Sequence, residues 1–181
     1  MTAQELLFTQ MLQDEKKKWQ ELCESTRNKL AKLELPAKAY EELERILIPG
    51  TPYTGSKGYV ESDGYFYVEE GDRGACKLIF KTRSKEEAED LLMKKLAHDV
   101  SYRCILEEMK RLEQKWKEEW KYNTKYDYRK YWFELALYIL KDNVSEERFR
   151  TEVSEYEALM NYWFESPFWK FDTGKMEFVC I

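Results

Sequence analysis

One imidazole, four thiols and a surplus of carboxylates are the groups in this chain that could do acid–base or covalent chemistry. The imidazole is His98, within KKLAHDVSY, and any Ser or Cys nucleophile would have to use it as its base. It lies on no recognisable motif, and histidine is commonly a surface or boundary residue. The thiols of Cys23, Cys76, Cys104 and Cys180 contain no C-x-x-C pair, so they fit neither a zinc knuckle nor a redox motif and read as reduced, mostly buried thiols. One imidazole with dispersed thiols does not assemble the usual transition-metal site. The acidic pairs Glu86-Glu87, Glu107-Glu108, Glu118-Glu119 and Glu146-Glu147 are sequence neighbours, which do not face each other on a helix, so they read as solvated charge. A di-iron centre needs a carboxylate three residues before a histidine, and Lys95 stands there instead. No nucleophile elbow, P-loop, dinucleotide fingerprint or H-E-x-x-H is present. The expectation is a protein with no catalytic site, metal or cofactor. A deep pocket gathering His98, Asp99 and tyrosines would reopen the enzymatic reading.

The elements that must carry these groups are legible from periodicity. Thr2 with Glu5 makes a capping-box pattern, and Leu6, Leu7, Met11, Leu12, Trp19, Leu22 and Leu30 recur at helical spacing, which predicts a helix from about Ala3 to Leu33. Pro36 opens a second helix carrying Tyr40, Leu43 and Leu47, and PGTPYTGSKG is the clearest break in the chain. The period then becomes strand-like through GYVES, YFYVEE and ACKLIFKT. Asp63-Gly64 supplies one hairpin turn and residues 71–74 the other. Tyr65, Tyr67 and Glu69 should share one face, with Phe66 and Val68 on the other. Ser84 and Glu87 form a second capping box and start the longest helix, from about Lys85 to Tyr122. Its nine basic and ten acidic residues up to Lys121 nearly cancel, as on a solvated face. DYRKYWFELALYIL reads as a central helix, Asn143 and Ser145 mark the start of the last, and Pro167 stops it. KMEFVCI is a short extra strand or a strip packed on the core.

These elements predict a single α+β domain over residues 1–181, a small three-stranded antiparallel meander packed with about five helices. Residues 1–48 form an N-terminal helical part, 58–83 the meander, 84–166 a second helical part and 167–181 a tail.

Thirty basic against thirty-five acidic residues give a net charge of -5, which argues against general affinity for nucleic acid or anionic lipid. KWKEEWKYNTKYDYRKYW interleaves rings and cations as a single-strand binder would, but the acidic balance elsewhere weakens that reading. No stretch approaches a membrane span and the N-terminus lacks a signal-peptide pattern, so a cytoplasmic protein is expected. Aromatic residues make up 15%, more than a core of this size needs, and Trp and Tyr favour interfaces. From Lys141 to Glu165 three basic residues face seven acidic ones. This marks Glu152, Glu155, Tyr156, Tyr162, Trp163 and Trp169 as a candidate surface for a protein partner with a cationic cleft.

The second half also carries a run of local patterns. A strand ends in an acidic-Gly turn, GYFYVEEGDRG, and a helix rich in Leu and Met follows, AEDLLMKKLAHDVSYRCILEEM. Asp127, Arg129, Lys130 and Phe133 then lead into Leu135 and Leu137, and Pro167 closes the last helix. In these features residues 64–167 resemble the immunity protein 63 family of bacterial polymorphic toxin systems. Relative to that family's pattern, Glu69-Glu70-Gly71 with Arg73 displaced replaces Glu-Arg-Gly, Lys130 replaces a second Arg, and a Gln after Phe133 is missing. The resemblance implies a cytoplasmic antidote that binds a cognate toxin domain and catalyses nothing. Under it, Arg73, Asp127 and Arg129 are expected to form a structural ion-pair network rather than the toxin-binding surface. The rival expectation is a non-enzymatic helical adaptor or structural homodimer.

Overall fold

The first helix, α1 (Ala3–Leu30), keeps its apolar stripe to one side, and its C-terminal half uses that stripe to cover a sheet. Trp19, Leu22, Cys23, Thr26 and Leu30 are buried, and Thr26 satisfies its hydroxyl by bonding the Leu22 carbonyl at 2.8 Å. The computed structural model describes residues 3–33, 35, 41, 55–72, 75–116, 128–163 and 168–181. The predicted second helix falls almost wholly outside these residues, as do Thr2 and the turn residues 73–74.

The chain is α+β, with four helices and five strands among the described residues. It divides into two compact units, Met1–Glu34 with Glu41–Met93, and Leu35–Tyr40 with Lys94–Ile181.

In the first unit the predicted meander is present as β1 (Gly55–Val60), β2 (Phe66–Asp72) and β3 (Ala75–Thr82), antiparallel in that order. Gly64 adopts φ 79°, the left-handed turn conformation that glycine takes without strain. A register shift at Val68/Glu69 bends the β2–β3 pair. Val60, Phe66, Val68 and Phe80 form the buried inner face, as the alternation predicts. The contact with α1 is very close at one point. A Cβ built on Gly58 would lie 1.7 Å from Trp19 Cζ2, so the indole occupies the space a side chain would need. The second long helix, α2 (Lys85–Trp116), starts in this unit with Ala88, Leu92 and Met93 buried. Its cap departs from the box pattern. Ser84 Oγ accepts from Glu87 N at 3.1 Å, while the Glu87 carboxylate takes the Thr82 hydroxyl at 2.5 Å.

In the second unit α2 continues through buried Leu96, Ala97, Val100 and Ser101. The apolar helix α3 (Tyr128–Leu140) buries Phe133, Ala136, Leu137, Ile139 and Leu140, and each fully buried Phe, Leu or Ile side chain contributes about 2 kcal/mol. Asn143 closes α3 rather than opening the next helix, its side chain donating to Ile139 O at 2.7 Å. Ser145 caps α4 (Glu146–Trp163) by accepting from Arg148 N. The C-terminal tail is a hairpin of β4 (Trp169–Asp172) and β5 (Glu177–Cys180), so KMEFVCI does supply a strand, with WKFD as its partner. Asp172 Oδ1 accepts from Gly174 N and Lys175 N in the connection, where Met176 has φ 57°.

Candidate functional site

The hairpin depends on side chains from the helices. Asn161 of α4 accepts from Trp169 N at 2.7 Å and donates to Trp169 O at 2.9 Å, so one amide side chain copies the pairing of a neighbouring strand. Glu157 Oε1 accepts from Phe171 N at 2.9 Å, and Glu134 Oε1 of α3 accepts from Phe178 N at 2.7 Å. Glu134 and Glu157 also hold Lys130 and Lys170 at 2.6 and 3.3 Å. Nothing in sequence spacing points to these three residues, because their partners are backbone groups of two strands that come later in the chain.

The anchoring places half of the predicted partner surface in the interior. Trp169 and Tyr156 are buried, and Glu152 is only 1% exposed. The expectation that these three form a contact surface is corrected by packing. Tyr156 meets Phe133 at 4.6 Å between ring centroids, and burial raises its hydroxyl pKa. Glu152 Oε2 lies 2.9 Å from Lys94 Nζ, and its Oε1 is 3.6 Å from Arg148 Nη1 and has no hydrogen-bond donor among the described residues. Burial pushes the Glu152 carboxyl above its usual range, an effect the Lys94 ammonium only partly offsets. Lys94 also pairs with Glu155 at 2.6 Å, and although burial opposes it, the two carboxylates hold the ammonium above its ordinary pKa.

The acidic region is therefore partly compensated within the fold. Glu146 pairs with Arg150, Glu152 with Lys94 and Arg148, Glu155 with Lys94, and Glu157 with Lys170. Counting charges along the sequence missed this, since Lys94 stands far upstream on α2.

What remains outside is an aromatic strip. Tyr162 is 81% exposed, and Leu159, Trp163 and Phe168 are exposed beside it in sequence. Leu159, Tyr162 and Trp163 follow helical i, i+3, i+4 spacing and so share one face of α4. Trp163 is held in place, stacked on Phe133 at 5.7 Å with the Arg129 guanidinium 5.0 Å from its ring centroid. Arg129 thus reaches an aromatic ring, while Arg73 and Asp127, the other members of the expected ion-pair network, lie outside the described residues.

The possible catalytic groups also have defined surroundings. His98 Nδ1 is 3.2 Å from Asp99 Oδ1, and its ring meets Trp132 at 4.6 Å between centroids. Trp132 Nε1 donates to His98 O at 2.9 Å, and Tyr102 packs on the same indole. Burial works against the Asp99 charge, but the His98 and Lys95 contacts outweigh it and hold its pKa below the usual carboxylate value. The geometry is that of a packed helix junction with one imidazole edge exposed. Burial raises the Cys104 thiol pKa, which disfavours the thiolate. No group of three His, Cys, Asp or Glu side chains could hold a metal ion among the described residues, and none of their helices is long and apolar enough to cross a membrane. A hollow lined by Glu146, Glu147, Arg150, Thr151 and Ser154 lies open along α4, away from His98 in sequence and lining.

No family model matches the chain, and no curated protein or solved structure matches it either.

Proposed function

We propose that the chain acts by binding another protein, as a cytoplasmic immunity protein that neutralises a cognate bacterial toxin domain without catalysis. The observation that carries the binding reading is the α4 strip, where Tyr162 projects from a helix whose opposite face is core and Trp163 is fixed beneath Arg129. A large ring already held in one orientation loses little conformational freedom on binding, which is how aromatic anchors come to dominate interfaces. The toxin as partner follows from the resemblance of residues 64–167. The contacts belong to Leu159, Tyr162, Trp163 and Phe168, with Glu155 at their edge, and shape outweighs charge because the nearby carboxylates are already paired.

Co-purification from the native host with the chain as bait tests both levels. A stoichiometric partner that is the C-terminal domain of a large secreted protein, toxic when expressed without this chain, is the expected result. Tyr162→Ser together with Trp163→Ser should abolish the capture. Recovery of ordinary cytosolic proteins, with no toxicity rescued, would sink the immunity reading.

A second reading, a helical adaptor or homodimer, draws on α1. Leu7, Met11 and Leu12 are exposed on the helix whose later turns are buried. Sedimentation of the purified chain separates the two: a monomer supports the first reading and a dimer lost on Met11→Glu supports the second.

A further inference from the structure

The outward face of the three-stranded sheet belongs to neither reading. Tyr59, Tyr67 and Lys81 pair across β1, β2 and β3 in one row, and Tyr65 immediately precedes β2. The Tyr59 and Tyr67 rings stack at 5.1 Å with an interplanar angle of 6°, and Tyr65 tilts against Tyr67 at 6.3 Å. The cations gather at the β3 side. Lys81 Nζ lies 4.3 Å from the Tyr65 centroid and 4.8 Å from that of Tyr67, and the Arg83 guanidinium lies 4.4 Å from Tyr65.

Asp63 acts on both cations but contacts only Lys81 directly. Asp63 accepts from Tyr65 N at 3.0 Å and from Tyr67 Oη at 3.1 Å, and it sits 3.7 Å from Lys81 Nζ. Its pKa is lowered first by the Tyr65 amide and further by the Tyr67 hydroxyl and the charges of Lys81 and Arg83, so it stays ionised. The other carboxylates felt on this face, Glu61 and Glu69, act on Tyr59 at the β1 side. Burial and the Glu69 hydrogen bond push Tyr59 up to about 12, so the row of phenols adds no negative charge. Arg83 is exposed, and among the described residues no carboxylate closes an ion pair with it. A guanidinium seated over an aromatic ring, with no direct carboxylate partner, keeps its fork of donors available for a two-pronged contact with a carboxylate.

We propose that this sheet face is a second docking surface, on which Arg83, seated on Tyr65, receives an Asp or Glu side chain of a partner polypeptide. The half-buried Tyr59 and Tyr65 rings supply the apolar floor, backed by the buried Tyr67, and Arg83 supplies the charge. The reading stands whatever protein occupies the α4 strip, and it gives the contacting group of the partner a negative charge, opposite to that expected from the acidic composition of the second half.

A fluorescein-labelled oligoglutamate peptide titrated into the full chain, read by anisotropy, is the direct test. Saturable binding is expected, weakened roughly tenfold by Arg83→Gln, a little less by Arg83→Lys, and strongly reduced by added salt. Lys170→Gln, at an exposed lysine remote in sequence, should leave it unchanged. Far-ultraviolet circular dichroism confirms that each variant is folded. Absence of saturable binding, insensitivity to Arg83→Gln, an equal loss in Lys170→Gln, or equally tight binding of oligolysine would each overturn the proposal. Displacement by inorganic phosphate at the same concentration as the peptide would overturn it as well, since the site would then be a phosphate site.

Discussion

The two sheets of this protein are held by opposite means. The three-stranded sheet is seated mainly by apolar contact: the Trp19 indole lies where a Gly58 side chain would be, and the inner positions are apolar apart from Thr82, which bonds Glu87. The two-stranded hairpin is held by polar groups from outside itself, with Asn161 and Glu157 bonded to β4 and Glu134 to β5. An isolated two-stranded hairpin is marginal in water, whereas a third strand and a covering helix suffice for independent stability. The lesson is that the smaller sheet borrows its order from helix side chains and should lose it when they are cut back. The larger one should tolerate polar changes and resist changes of volume.

That contrast can be broken most forcefully at α4, which supplies two of the clamps. Lys94→Met leaves Glu152 as a buried charge with only Arg148 near it and should cost about 4 kcal/mol in urea denaturation at neutral pH. The pH dependence has a definite sign. Burial holds the folded Glu152 pKa above its ordinary value of 4.5, so this group's contribution to stability is fully present in acid and is lost as the pH rises through the folded pKa. The Lys94→Met deficit should therefore shrink on acidification, and Glu152→Gln should flatten the profile over the same window. A deficit that is constant with pH would remove the buried charge from the account.

Next in size is Asn161→Ala, which strips two hydrogen bonds from Trp169 and should cost about 3 kcal/mol, with the loss of protection confined to the hairpin in amide exchange. Gly58→Ala should cost about 2 kcal/mol through overpacking against Trp19. Combining it with Trp19→Leu should be far from additive, because the two changes share one contact. Additivity there would show that the ring is not what seats the sheet. The smallest effect is expected for Tyr162→Ser, under about 0.5 kcal/mol by thermal melting, as for an exposed residue with no structural task. A larger loss would place Tyr162 in the fold rather than at an interface.

Local signals carried most of the fold. The Asp63-Gly64 turn, the caps at Ser84 and Ser145, and the apolar width of α3 each depend on residues a few positions apart, and each appears in its expected place. The partner strand WKFD was not legible, because its backbone is completed by Asn161 and Glu157 rather than by a recognisable turn. The candidate surface was half legible. Tyr162 and Trp163 are outward as aromatic excess suggested, but Glu152 and Tyr156 are buried against Lys94 and Phe133 from two other helices, and Trp169 is bonded by Asn161. Composition registers a carboxylate without its counter-ion, so it assigned a field to the last helix that the fold has partly cancelled.

The amide of Asn161 has one more consequence. An unpaired strand edge can template the addition of another chain, and short hairpins are exposed to this during folding and storage. A side chain that offers one donor and one acceptor satisfies the edge but has no further groups in register, so the ladder ends with it. The hairpin is capped against fibril growth at that position by a residue that is not part of any strand. Chemical ageing of Asn161 to aspartate, which deletes the donor, would reopen the edge and should show first as aggregation of stored protein rather than as a change in its fold.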